Sequence, residues 1–143
     1  MKLKLVHILL VEDNEGDILL TLDAFEESKV KTEISVARNG KEALDFLFKR
    51  DTFVNAEKPD LILLDINIPI YNGHEVLKQI KSDANLKKIP VIILTTSSDR
   101  KDIEKAYENH SNSYVEKPLH MEEFLEAILK IEASRLQLST LVF

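Results

Sequence analysis

A chain of 143 residues, 44% hydrophobic and 31% charged, is long enough to bury one core and too short for two. Its formal net charge of −6 argues against sequence-independent nucleic-acid binding, which needs a basic face to displace counterions. The absence of cysteine excludes disulfides and thiolate metal sites and fits a reducing cytoplasm.

No apolar run approaches the roughly 18 residues of a spanning helix, so no membrane passage is expected. Met1-Lys2-Leu3-Lys4 is too short, and the apolar run after it too soon interrupted by Glu12, for a secretory signal.

In chain order, Leu5 to Val11 reads as a first strand. A helix from about Glu15 to Ser28 follows, with Ile18, Leu22 and Phe25 on one face. Thr32 to Ala37 alternates polar and apolar and suits a strand near a sheet edge. Asn39-Gly40 opens a helix that turns Ala43, Leu44 and Leu47 inward. Lys49 to Lys58 is polar and without period, and reads as an exposed loop. Leu61 to Asp65 is a third strand, and Gly73 leads into a helix with Val76, Leu77 and Ile80 buried. Pro90 to Thr95 is the fourth strand. The next helix runs from Asp99 to about Asn109, with Ile103, Ala106 and Tyr107 inward. Ser113 to Glu116 is a short fifth strand. A last helix, about His120 to Arg135, carries Phe124, Ile128 and Ile131 as its stripe. The tail, 137–143, ends apolar. The expectation is one domain over 1–143, with a core of about 5–135 and no second domain.

Strict alternation of strand and helix predicts an α/β fold with a doubly wound parallel sheet. Right-handed crossovers place helices on both faces, which explains the unbroken apolar runs of the first, third and fourth strands. The weaker second and fifth patterns belong at the edges, and the order 2-1-3-4-5 satisfies this.

In such sheets ligands bind beyond the carboxyl ends of the strands, where the strand order reverses. That point lies between the first and third strands, which end in Glu12-Asp13 and in Asp65. Three converging carboxylates repel one another, and a hard divalent cation such as Mg²⁺ relieves the repulsion. The fourth strand ends in Thr95 and the fifth leads to Lys117, adding a hydroxyl donor and an ammonium. Phosphoryl transfer requires in-line positioning and cations around the equatorial oxygens, so these residues point to Asp65 as a carboxylate that becomes phosphorylated.

Four stretches in order, LLVEDN (Leu9 to Asn14), PDLILLDINIP with Gly73, PVIILT and YVEKP (Tyr114 to Pro118), resemble the receiver domain of two-component response regulators. The likeness runs from about Val6 to Ile131. It implies the flavodoxin-like receiver fold and a Mg²⁺ ion held by Glu12, Asp13, Asp65 and the backbone carbonyl of Asn67. It also implies that Thr95 is the switch hydroxyl, Lys117 the site lysine and Tyr114 the rotating aromatic.

Within the family, the NEGD after the acidic pair, the loop at 49–58, the TTSS run and NHSNSYV are similar to single-domain regulators of phytochrome-type histidine kinases. The implied partners are such a kinase or a phosphotransfer protein, together with a downstream protein target. Output would pass through docking, homodimer formation or relay. The protein would catalyse its own phosphorylation and slow dephosphorylation without being a turnover enzyme. Three departures stand out. Glu12 replaces the commoner Asp, Thr96 occupies a usually small access position, and His110-Ser111 stand where many members carry Gly.

Taken singly, each residue has a plainer reading. One acid before a helix is a favourable cap, Thr95 is an ordinary strand residue, and Lys117-Pro118 is a solvated strand end. Tyr114 suits an edge strand. His7, His74, His110 and His120 show no ligand spacing and read as surface or satisfied histidines. Among rival functions, an aspartyl-phosphate hydrolase needs an acid two residues past Asp65, where Asn67 stands. A docking module with the same fold typically lacks an acid or the lysine, and all are present here. A flavin site needs a phosphate-cradling loop after the first strand.

Overall fold

The computed structural model describes residues 6–28, 31–95, 113–117 and 120–124, with the backbone alone at 95 and 113. It contains β1 (Val6–Val11), α1 (Glu15–Glu27), β2 (Thr32–Ala37), α2 (Gly40–Leu47), β3 (Leu61–Asp65), α3 (Gly73–Ser82), β4 (Val91–Thr95) and β5 (Ser113–Glu116). A helical turn at 121–124 follows β5. The expected helix at 99–109, the remainder of the last helix, Thr96 and the tail at 137–143 lie outside the described residues.

The five strands form one parallel sheet in the order β2-β1-β3-β4-β5. Alternation along each strand divides the core in two. Ile8, Leu10, Leu61, Leu63, Ile92, Leu94 and Val115 face α1 and Phe124, where Phe25 and Phe124 meet edge to face at 4.9 Å. Leu9, Val11, Ile62, Leu64, Val91 and Ile93 face the apolar sides of α2 and α3. Both faces are therefore covered, as the continuous apolar runs require.

Three helices begin at the carboxyl end of the sheet in the same way. Asn14, Asn39 and Asn72 each sit in an extended conformation and accept a backbone N–H three residues on, from Asp17, Glu42 and Glu75. Glu75 reaches back to the Asn72 N–H and completes a capping box. Two glycines let the connecting loops approach closely. A side chain at Gly40 would strike the Tyr71 carbonyl, and one at Gly73 would strike the backbone of Asp65 and Ile66. These contacts press the β3–α3 loop down onto the strand end that carries Asp65.

Some details differ from expectation. On α1 the buried positions are Ile18, Thr21 and Phe25, whereas Leu22 is half-buried; the Thr21 hydroxyl donates to the Asp17 carbonyl and so is satisfied in the core. The segment after α2 is not wholly irregular, because Asp51–Phe53 forms a 3-10 turn and Phe53 packs against Phe46 with ring centroids 5.5 Å apart. His7 and His74 are both buried, and His7 Nε2 lies 2.9 Å from Ser35 Oγ.

Candidate functional site

β1 and β3 are neighbours in register, with Val11 opposite Leu64, so Glu12 and Asp65 leave the sheet side by side. The parallel pairing that buries the apolar runs thereby also carries these two acids into the protein. Glu12 is fully buried and Asp65 is 4% exposed, whereas Asp13 faces solvent. Carboxylate oxygens of Glu12, Asp13 and Asp65 all lie within 4.8 Å of one another.

Lys117, one residue past β5, extends into this group, and its side chain is 8% exposed. Its Nζ makes an ion pair with Glu12 Oε1 and lies 3.1 Å from Asp65 Oδ2. The backbone holds the remaining oxygens: the Asn14 N–H donates to Glu12 Oε2 and the Asn67 N–H to Asp65 Oδ1, each at 3.3 Å.

The electrostatics follow from burial. Loss of solvation, then the hydrogen bond with Asp65, push the Glu12 carboxyl up to about 7 despite the opposing pull of Lys117. For Lys117, burial alone would lower the pKa, but the hydrogen bond to Glu12 and the charge of Asp65 outweigh it and raise it. The lysine stays charged, and Glu12 is the group that yields to crowding. One ammonium facing three carboxylates leaves the cluster short of positive charge. An all-oxygen donor set that is buried on one side and open at Asp13 fits a hard divalent cation.

The structure thus brings together Glu12, Asp13, Asp65 and Lys117, four of the residues singled out in the sequence. Thr95 ends β4, whose neighbour in the ladder places Asp65 opposite Leu94; its side chain, like all of Thr96, is outside the description. Asn67 lies two residues past Asp65 and is exposed. Tyr114 is half-buried, paired in register with Ile93 and packed on the core face shared by α2 and α3.

One residue was not anticipated. Asp17, in the first turn of α1, also reaches Lys117, with Oδ2 3.1 Å from Nζ. Its sequence context, an acid three residues after an Asn cap, announces only a favourable helix start.

Residues 8–129 match the family model of the response regulator receiver domain. The chain belongs to the response regulator receiver family. This receiver is 38% identical over 134 residues to the response regulator Rcp1 of Synechocystis sp., covering 94% of this chain and 91% of that protein. The Mn²⁺-bound structure of Rcp1 superposes with a TM-score of 0.76 at 35% identity, covering 96% and 97% of the two chains. The bacteriophytochrome response regulator AtBRR gives a TM-score of 0.83 at 40% identity, covering 90% and 93%. The phosphorylated cyanobacterial phytochrome response regulator RcpA gives 0.77 at 42%, covering 91% and 93%. The receiver is therefore related to the phytochrome response regulators, and its sheet order and fold are theirs.

Proposed function

We propose that this receiver accepts a phosphoryl group on Asp65 in a Mg²⁺-dependent reaction and signals through the surface change that follows. The observation that carries the reading is the meeting of Lys117 Nζ with Asp65 Oδ2 at 3.1 Å inside a cluster of three carboxylates. Taking a lysine out of water costs free energy that its pairing with Glu12 and Asp65 offsets, and the pairing sets its ammonium beside the Asp65 carboxylate.

Asp65 is the nucleophile. One carboxylate oxygen bonds to phosphorus as the bond from phosphorus to the donor breaks, and the donor leaves with the electron pair, as imidazole from a phosphohistidine or as acetate from acetyl phosphate. Lys117 follows the charge that moves onto the phosphoryl oxygens. Glu12, Asp13, Asp65 and the Asn67 carbonyl would hold Mg²⁺, which neutralises carboxylate and phosphoryl charge when bound. Thr95 is assigned the role of hydroxyl donor to the phosphoryl group, and Tyr114 fills the space that Thr95 leaves. Thr96 is assigned to the mouth of the site, where its branched side chain slows both entry of a donor and attack by water. The protein promotes its own phosphorylation and slow hydrolysis and is not a turnover enzyme.

The names of AtBRR and RcpA support a phytochrome-type histidine kinase, or a phosphotransfer protein fed by one, as the phosphoryl source. The proposed setting is the cytoplasm, with the receiver acting alone on a downstream protein or as a homodimer. Among the described residues no helix is long and apolar enough to cross a membrane.

Acetyl phosphate with Mg²⁺, followed by intact mass, tests the reading. The wild type should gain one phosphoryl group and Asp65→Asn none. Labelling of the Asn variant at the wild-type level would overturn the assignment. Thr96→Ala should both gain and lose phosphate faster than wild type, and equal decay would make Thr96 a bystander.

A further inference from the structure

Lys117 has three ammonium hydrogens, and three carboxylates lie around it. Two of them, Glu12 and Asp65, belong to the group that can hold a cation; the third, Asp17, does not. Asp17 approaches from the side nearer solvent, with its side chain 31% exposed against 0% for Glu12 and 6% for Asp65. Its backbone is held on both sides: the Asp17 N–H donates to Asn14 Oδ1 at 2.9 Å, and its carbonyl accepts the Thr21 hydroxyl at 2.9 Å. Lys117, by contrast, hangs on a flexible four-carbon stem just beyond the end of β5. A short acid side chain on a held backbone therefore faces an ammonium on a longer stem, and the shorter, anchored partner limits where the ammonium rests.

We propose that Asp17 is a positioning residue for Lys117, holding the ammonium from the solvent side in the place where it meets Asp65. The inference rests on the reading that Asp65 is phosphorylated and adds what keeps the lysine ready for that event. When Glu12 and Asp65 turn part of their charge toward a cation, Asp17 is the partner that remains wholly available to Lys117. Because Asp17 acts as an acceptor at the ammonium, an uncharged acceptor of the same shape retains most of the effect. A side chain without an oxygen loses it.

Helix-start chemistry alone makes the opposite forecast. If Asp17 served only the positive end of α1, Asp17→Asn and Asp17→Ala would both lower stability, and neither would alter Lys117.

The test compares wild type, Asp17→Asn and Asp17→Ala in two measurements. The first is NMR of the Lys117 ammonium in the unphosphorylated protein, which reads its order without any reaction. We expect a sharp ¹⁵Nζ signal in wild type and Asp17→Asn, and a broadened or lost one in Asp17→Ala. The second is the rate of phosphorylation at saturating acetyl phosphate and Mg²⁺. We expect about a tenfold drop for Asp17→Ala, consistent with the sensitivity of transfer to misplacement, and near recovery in Asp17→Asn. Half-saturating Mg²⁺ should be unchanged, and Asp17→Ala should have no further effect in a Lys117→Ala background. An ordered ammonium in Asp17→Ala, or a rate loss undiminished in the Lys117→Ala background, overturns the proposal. An ammonium released by Asp17→Ala, in a wild type that takes no phosphate at Asp65, instead upholds the positioning and overturns the phosphorylation reading.

Discussion

Two lysines in this protein each sit between carboxylates, in opposite settings. Lys41 pairs with Asp45 one turn along α2 at 2.6 Å and with Asp51 at 3.7 Å, and its side chain is 56% exposed. Lys117 meets Glu12, Asp17 and Asp65 from the far end of the chain, and its side chain is 8% exposed. Both lysines are shifted toward staying charged, Lys41 mainly by its hydrogen bond to Asp45 and Lys117 by Glu12 and Asp65 against the cost of burial. Water reaches Lys41 and Asp51 and screens that side of the first cluster, although Asp45 itself is only 7% exposed. The second has given up most of its water except on the side of Asp17, and Glu12, Asp65 and Lys117 depend on one another. Similar side chains thus leave the lysine in water in one place and take it out of water in the other, and desolvation of the ammonium separates the two.

The sharpest way to break this contrast is to remove each lysine. Lys117→Met should lower unfolding free energy in urea, at pH 8 without divalent metal, by about 3 kcal/mol, since it strands buried acids. Lys41→Met, which leaves only Asp45 without its ammonium and removes a lysine that stands in water, should lower the urea midpoint by less than Lys117→Met does. Equal losses would show that burial does not distinguish the two clusters.

A second comparison adds metal. Mg²⁺ at a hundred times its Kd should stabilise the wild type by about 2.7 kcal/mol and raise the Tm by several degrees. Asp13→Asn should lose most of that gain and Asp45→Asn should keep it. A Tm indifferent to Mg²⁺ would count against the cation site.

The loop that joins the two regions offers a smaller effect. It runs from Asp65 to Tyr71, which lines a cavity of about 300 Å³ with Lys41, Asp45 and Phe48. Within it Ile70 is exposed and has φ 71°, a region that β-branched residues avoid. Relief of that strain, offset in part by the greater freedom of glycine when unfolded, should make Ile70→Gly more stable by about 0.5 kcal/mol. A destabilised variant in urea would show that the conformation there is not strained.

The smallest effect is that of salt. Raising NaCl from about 0.05 to about 0.5 M should shrink the difference between Lys41→Met and wild type by a larger fraction than the Lys117→Met difference. A Lys117 difference that faded equally would mean that water reaches the buried cluster.

Much of this was legible along the chain because parallel sheets carry a strong signal. Strands buried on both faces must be apolar throughout, and LLVEDN and LILLD stop on acids where the sheet stops. The alternation of strand and helix, the order of the sheet and the neighbouring ends of β1 and β3 follow from that pattern and the handedness of crossovers. The details of α1 were less legible, since a threonine can take a core position once its hydroxyl bonds back to the preceding turn, and Thr21 does so while Leu22 stays half-buried. The 3-10 turn at Asp51–Phe53 was hidden for a similar reason: a polar stretch has no period, and only the contact of Phe53 with Phe46 gives it a shape.

By itself, the sequence determined the fold class, the sheet order and the place of Glu12, Asp13 and Asp65 at neighbouring strand ends, because local pattern and topology suffice for these. Only the tertiary structure decided which charges share a water-poor interior and which remain in water. Asp17 and Lys117 are a hundred positions apart, and nothing in the spacing of either announces the other. Their meeting depends on how α1 leaves its Asn14 cap and how β5 ends beside β4, and burial then turns that meeting into an interaction that water would have screened.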